Sequence, residues 1–152
     1  MRLYQLIYQS QSLVPFDAPE LTALLVQCRA SNARTGITGL LLYTPDGRFL
    51  QVLEGECAAV RQLYYQRIVA DPRHFGCRVL SEGECQHRGF ADWRMGFRVA
   101  QPWHLRTLLG YVPPDSPALL VPRPHTHPEL LALLRDFVTQ CQTEPWLEQP
   151  RG

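Results

Sequence analysis

Ile37-Thr38-Gly39-Leu40-Leu41-Leu42-Tyr43-Thr44-Pro45-Asp46-Gly47-Arg48-Phe49-Leu50-Gln51-Val52-Leu53 holds two apolar runs separated by a turn word. Thr44-Pro45-Asp46-Gly47 is a four-residue loop of turn formers, so the runs from Ile37 to Tyr43 and from Arg48 to Leu53 read as a β-hairpin. A helical pattern lies on each side of it. Before it, Asp17 can cap a helix with Glu20 as its capping-box partner. Leu21, Leu24, Leu25 and Cys28 then recur at helical spacing, which predicts a helix over 18–31 that stops near Ser31-Asn32, ahead of Gly36. After the hairpin, residues 58–70 read as a second helix, ended before Pro72. Further out lie three more strands: Leu3 to Gln9, ended by Ser10-Gln11-Ser12, then Cys77 to Gln86 and Met95 to Val99.

The order β-α-β-β-α-β-β predicts an α+β, ferredoxin-like sandwich. In that topology the first and third strands pair at the centre of the sheet. Both are apolar on both faces here, through Leu3, Leu6 and Ile7 and through Phe49, Leu50, Val52 and Leu53. A sheet buried on both faces needs two covering layers. The two helices supply one. Leu130, Leu131, Leu133, Leu134, Phe137, Val138 and Cys141 fit a helix over 127–142, and this C-terminal helical extension is expected to cover the other face.

Proline usage marks the same division. Only Pro15, Pro19, Pro45 and Pro72 precede residue 100, and the other nine of the 13 prolines follow it. The expected organisation is a domain over 1–100, an extension over 101–142 and a flexible tail over 143–152. Nothing after residue 100 is long enough for a catalytic domain. With 15 basic and 14 acidic residues, the net charge is +1, and no basic block marks a nucleic-acid binder. No apolar run reaches the length of a membrane span. The N-terminus turns polar too soon for a signal peptide. The five cysteines form no CxxC pair, which suits reduced thiols in the cytoplasm rather than disulfides or a metal centre. His125-Thr126-His127 has no third ligand nearby in sequence and reads as a solvated loop.

Two polar residues stand out in this frame. Gln51 interrupts an otherwise apolar central strand, and a buried amide without a hydrogen bond costs about 1–3 kcal/mol. Tyr8 ends the first strand, and antiparallel pairing can bring its hydroxyl to the Gln51 amide. Patterning alone leaves two readings open: a core pair that satisfies itself, or the polar floor of a binding site.

Five words in order bear on that choice: Leu6-Ile7-Tyr8, Asn32 followed by Gly36-Ile37-Thr38-Gly39-Leu40-Leu41, Phe49-Leu50-Gln51-Val52-Leu53-Glu54-Gly55, Asp71-Pro72-Arg73-His74, and Phe90-Ala91-Asp92-Trp93-Arg94-Met95-Gly96-Phe97. Together, over roughly residues 1–100, they resemble the BLUF family of blue-light photoreceptors. The resemblance implies a flavin, usually FAD, with FMN or riboflavin able to substitute, held non-covalently between the two helices. It implies that Tyr8 is the photoactive tyrosine, Gln51 the switching glutamine and Asn32 the ring anchor. Trp93 and Met95 match the residues that compete for the place beside the glutamine. Arg29, Phe49, Arg67, Asp71 and His74 match residues lining the flavin.

The expected function is therefore a light sensor with no enzymatic activity of its own. Light-driven electron and proton transfer from Tyr8, with rearrangement at Gln51, would give a red-shifted state. Its expected partners are the flavin, further copies of itself and a downstream protein, with no nucleic acid or membrane. The 127–142 helix is expected to carry the signal. The competing functions are a small enzyme on the same scaffold, such as a phosphatase or a flavin oxidoreductase, and a flavin-free interaction module. Two departures from the family pattern lie inside the matched region. Ser31 stands where relatives often carry Asn or His. Leu63-Tyr64-Tyr65-Gln66-Arg67-Ile68 is one residue longer than usual, which implies a bulge in the second helix or a displaced Arg67. The extension after residue 100 matches no family word.

Overall fold

A computed structural model describes residues 3–91, 93–101 and 130–134. The elements are β1 (Leu3–Ser12), α1 (Ala18–Thr35), β2 (Thr38–Tyr43), β3 (Arg48–Glu56), α2 (Cys57–Gln62), a π-helical segment continuing it (Leu63–Ile68), β4 (His74–Glu84) and β5 (Gly96–Val99). The hairpin closes where the turn word stands. Gly47 N–H donates to the Thr44 carbonyl at 2.8 Å and Thr44 N–H to the Arg48 carbonyl at 3.0 Å. The Thr44 hydroxyl donates to the Asp46 carboxylate. From this closure the register runs Tyr43↔Phe49, Leu41↔Gln51 and Thr38↔Glu54.

The sheet order is β4-β1-β3-β2-β5, the ferredoxin-like arrangement with β1 and β3 central. All pairings are antiparallel except β2 with β5. Tyr8 sits directly opposite Gln51.

Several boundaries differ from the sequence expectation. β1 runs three residues past Gln9, because Ser10 and Gln11 pair with Phe49 and Arg48 instead of starting a loop. β4 begins at His74, ahead of Cys77, since His74 and Phe75 pair with Ser12 and Gln11. The pairing shifts register between Gln9 and Gln11, and Gly76 nearby takes φ 65°, which a residue with a Cβ rarely adopts. The capping box at α1 is present as predicted: Glu20 N–H donates to Asp17 Oδ1 at 2.9 Å, and Asp17 N–H to Glu20 Oε1 at 3.2 Å. The helix does not stop at Ser31-Asn32. It continues to Thr35 and ends on Gly36, whose φ of 73° is the left-handed cap. Ser31 and Asn32 thus lie on the helix, buried against the domain interior.

Apolar side chains pack on both faces of the sheet. Beneath α1 and α2, Leu6, Leu41, Tyr43, Phe49, Leu53 and Phe97 meet Leu21, Leu25, Val60 and Tyr64. On the other face Ile7, Leu40, Leu42, Leu50, Val52 and Phe90 meet Leu130 and Leu134. Residues 130–134 are helical, so this turn of the expected C-terminal helix does cover the second face. Phe137, Val138, Cys141, the His125-Thr126-His127 loop, the 143–152 tail and the domain boundary after residue 101 lie outside the described residues. Among the described residues no helix is long and apolar enough to cross a membrane.

Candidate functional site

Between α1, the π-helical segment and the sheet lies a cavity of about 190 Å³. Its floor is the row across the central strands, Tyr8, Gln51 and Leu41, flanked by Phe49. One side is the face of α1 that presents Leu24, Gln27, Cys28, Ser31 and Asn32, residues three and four apart that share one stripe of the helix. The opposite side is Leu63, Arg67 and Ile68. Asp71, Arg73 and His74 complete the lining with charged and polar groups.

At the floor the Tyr8 hydroxyl donates to the Gln51 side-chain carbonyl, and both residues are buried. The Gln51 amide nitrogen donates to Met95 Sδ at 3.4 Å. A thioether is a weak acceptor, so the amide keeps the capacity to bond a stronger acceptor in the cavity. Burial pushes the Tyr8 phenol well above its ordinary pKa, and it is a neutral donor at every physiological pH. Burial also raises the Cys28 thiol, which stays protonated.

Asn32 Nδ2 donates to the Arg94 carbonyl at 2.6 Å, and Arg29 Nε donates to the Met95 carbonyl at 3.0 Å. One turn of α1 thus clamps the residues that lead into β5 and sets Met95 against Gln51. Trp93 lies on the other face of the sheet. Its ring stacks on Phe90 (centroids 6.3 Å apart, 20° between planes), with the Arg98 guanidinium 5.3 Å away. Arg29 holds the Met95 carbonyl and does not line the cavity. Of the other sequence-predicted residues, Tyr8, Asn32, Phe49, Gln51, Arg67, Asp71 and His74 all line it.

Leu63–Ile68 is π-helical, the bulge that the sequence reading allowed for, and Val69 N–H reaches back five residues to the Tyr64 carbonyl at 3.0 Å. From this segment Arg67 reaches across to donate to the Ser31 hydroxyl at 3.3 Å. The His74 ring bridges the Ile68 carbonyl at 2.5 Å and the Ser10 hydroxyl at 2.9 Å. The carbonyl can only accept, so His74 Nε2 carries the proton. Arg73 bonds Asp71 through Nε and Nη2, and these bonds hold the Asp71 carboxyl below the usual range.

Sequence reasoning missed Phe16, Leu24, Gln27, Cys28, Leu41, Leu63, Ile68 and Arg73 in the lining. Two of these were recoverable: Leu41 by counting back through the hairpin from Gln51, and Cys28 as the helical neighbour of Ser31 and Asn32.

A flavin ring system fits these residues. Its walls would be Leu24, Phe49, Leu63 and Ile68. The carboxamides of Asn32 and Gln51 offer both donors and acceptors to a ring edge that carries both. Among the described residues no cluster of three His, Cys, Asp or Glu side chains could hold a metal ion.

Residues 3–96 match the family model described as "BLUF: Sensors of blue-light using FAD". The chain is 36% identical over 95 residues to photoactivated adenylate cyclase subunit beta of Euglena gracilis, a match that covers 61% of this chain and 11% of that protein. It therefore spans about a tenth of that curated relative. Among solved structures, the dark state of the BLUF protein BlrB superposes with a TM-score of 0.64 at 31% identity, covering 90% of this chain and 95% of that one. Klebsiella pneumoniae BlrP1, with FMN and cyclic diGMP, gives 0.57 at 34% identity, covering 65% of this chain and 26% of that one.

Proposed function

The chain belongs to the BLUF family, flavin-binding sensors of blue light, and we propose that it holds FAD non-covalently by the ring in the cavity between α1 and the π-helical segment, with Tyr8 and Gln51 as its photoactive pair. The observation that carries this reading is the buried Tyr8–Gln51 bond at the cavity floor, with the amide's other end on a weak acceptor. A bound flavin would supply the blue-light absorption and, once excited, the one-electron oxidant. Tyr8 would give an electron and, through Gln51, its phenolic proton, and both would then return to Tyr8 by the same route. Gln51 would be left with its amide rearranged, its nitrogen turned away from Met95 Sδ. A bond from the turned amide to the ring would lower the excited-state gap slightly and shift absorption to the red. Asn32 anchors the ring edge while holding the Arg94 carbonyl. These residues would hold the ring alone, so FMN and riboflavin, which carry the same ring, would be expected to substitute.

The output passes by protein contacts, to further copies of the chain or to a separate effector in the cytoplasm. Met95 touches Gln51 on one face, and Trp93 packs two residues away into the cluster with Leu130 and Leu134 on the other. A change at Gln51 can thus be felt through this lead-in to β5 by the 130–134 turn, the coupling expected of an element with two arrangements. Hydrogen exchange in darkness and in light is expected to differ at residues 93–99 and at 130–134. Equal protection there in both states makes the turn a fixed lid. The central test is the light-minus-dark spectrum of Tyr8→Phe. Flavin binding is expected to persist and the red shift to vanish, and a normal shift overturns the mechanism.

A further inference from the structure

Tyr8 has an aromatic neighbour that the photoactive pair does not use. The Tyr64 ring lies against it, with centroids 4.8 Å apart and planes at 48°. Tyr64 in turn meets Tyr65 edge to face, again at 4.8 Å. Tyr64 is 2% exposed and Tyr65 45% exposed, so the three phenols form an unbroken series of ring contacts from the cavity floor to solvent. At the outer end the Tyr65 hydroxyl donates to Glu82 Oε1 at 3.2 Å. Both outer tyrosines belong to the π-helical segment.

We propose that Tyr64 and Tyr65 form an electron path that refills Tyr8 from the surface, making Tyr65 a site of light-driven one-electron oxidation. This rests on the reading above, in which photoexcited flavin is the oxidant and Tyr8 its donor. When Tyr8 loses an electron, Tyr65 supplies one through the Tyr64 ring before the Tyr8 proton has moved. Tyr8 is again a neutral phenol with its O–H bond intact. The Tyr65 O–H bond breaks, its proton passes to the Glu82 carboxylate, and Tyr65 is left as a neutral radical. The flavin keeps the electron that Tyr8 first gave. One electron and one proton leave Tyr65, and both are accounted for.

Local chemistry selects Tyr65 as the terminus. Burial pushes the Tyr64 phenol up to about 12 and opposes charge there, so a hole on Tyr64 is short-lived and moves on to Tyr65. Tyr65 has a base within hydrogen-bond reach. The Arg61 guanidinium, 5.0 Å over the Tyr65 ring, opposes a cationic hole, but the radical formed by proton loss carries no charge. Each electron drawn this way ends a photocycle without a red-shifted state, so the path is a controlled leak that competes with signalling.

The test illuminates flavin-loaded protein with a nitroso spin trap and locates the adduct by peptide mass spectrometry. Flavin content and the dark spectrum check the folding of each variant. In the unaltered protein the adduct is expected on Tyr65. It is expected to be lost in Tyr65→Phe and also in Tyr64→Phe, which keeps the ring and removes the oxidisable phenol, with flavin content and the red shift retained in both. Equal labelling of Tyr65 in the Tyr64→Phe protein, or no labelling in the unaltered protein, overturns the path. Tyr8→Phe separates the two levels. A red shift that survives there sinks the photoactive reading itself, whereas a lost red shift together with an unlabelled Tyr65 in the unaltered protein sinks only the path.

Discussion

Strand β3 presents a polar side chain to each face of the sheet, and the two faces treat these side chains differently. On the helical face Gln51 borders a cavity, with a phenol on its carbonyl and only a sulfur on its nitrogen. On the other face, three residues along, the buried Glu54 carboxylate is saturated. It accepts from Gln5 Nε2 at 2.6 Å, Gly89 N–H at 2.5 Å, Phe90 N–H at 2.9 Å and the Thr38 hydroxyl at 3.2 Å. Arg88 closes the cluster by donating to the Thr38 hydroxyl at 2.8 Å and the Glu54 carbonyl at 3.2 Å. A polar group with bonding capacity in reserve can exchange partners cheaply, and one whose sites are filled cannot. Glu54 therefore fixes the 88–90 loop as a frame, while Gln51 is free to switch against Met95 a few residues further along.

The largest test of this contrast is Glu54→Leu. It strands the Gly89 and Phe90 N–H groups in the interior, each costing about 1–3 kcal/mol when left unpaired. A loss of about 4 kcal/mol is expected in urea unfolding. A loss below about 1 kcal/mol shows that water reaches the 88–90 loop and that the second face is not the rigid one.

Next in size is Leu134→Ala. Leu134 is fully buried against the second face, so its truncation should cost about 2–4 kcal/mol. Ala132→Ser, at an exposed position of the same turn, should cost about 0.5 kcal/mol or less. Equal small effects at both positions detach the turn from the core and remove the proposed receiver of the signal.

On the helical face the expected cost is smaller. Tyr8→Phe deletes one hydroxyl and leaves the Gln51 carbonyl to find another donor, for about 1 kcal/mol. A cost matching that of Glu54→Leu erases the distinction between a switching face and a fixed one.

The sequence made these two residues unequally visible. Gln51 was legible because an uncharged amide interrupts an apolar strand, and Tyr8 followed from antiparallel register. Glu54 ends the same apolar word, and nothing in its local pattern separates a saturated carboxylate from a solvated strand end. Two of its four donors are backbone groups of Gly89 and Phe90, which carry no side-chain signal. The layers and the central β1–β3 pair followed from periodicity, the hairpin turn and the element order, whereas the places of β4 and β5 did not. The end of α1 did not, because Ser31-Asn32 reads equally well as a stop and as the buried polar stripe that it is. Only the spacing of 63–68 hinted at the π-helical segment, and the ring contacts it builds among Tyr8, Tyr64 and Tyr65 depend on packing that no linear pattern carries.

The smallest expected effect concerns pH, where the helical face should be silent across the physiological range. A phenol in the unfolded chain titrates near about 10, and burial holds the Tyr8 phenol well above that value in the folded protein. Below about pH 9 both states keep the proton, and Tyr8 contributes no pH dependence to stability. Above about pH 10 the unfolded chain releases a proton that folded Tyr8 retains, and the unfolded state is favoured. Stability should then fall by about 1.4 kcal/mol per pH unit from this group, until the folded pKa is passed. Burial of Tyr64 acts in the same direction, so Tyr8→Phe should reduce the alkaline slope without abolishing it. Urea unfolding of both proteins on either side of pH 10 measures that difference, and the red shift of the flavin-loaded protein should stay constant between pH 6 and about 9. A red shift that titrates within this window means that the Tyr8 proton exchanges with solvent. The cavity floor would then be wet, and the reserve of bonding capacity at Gln51 would already be taken by water.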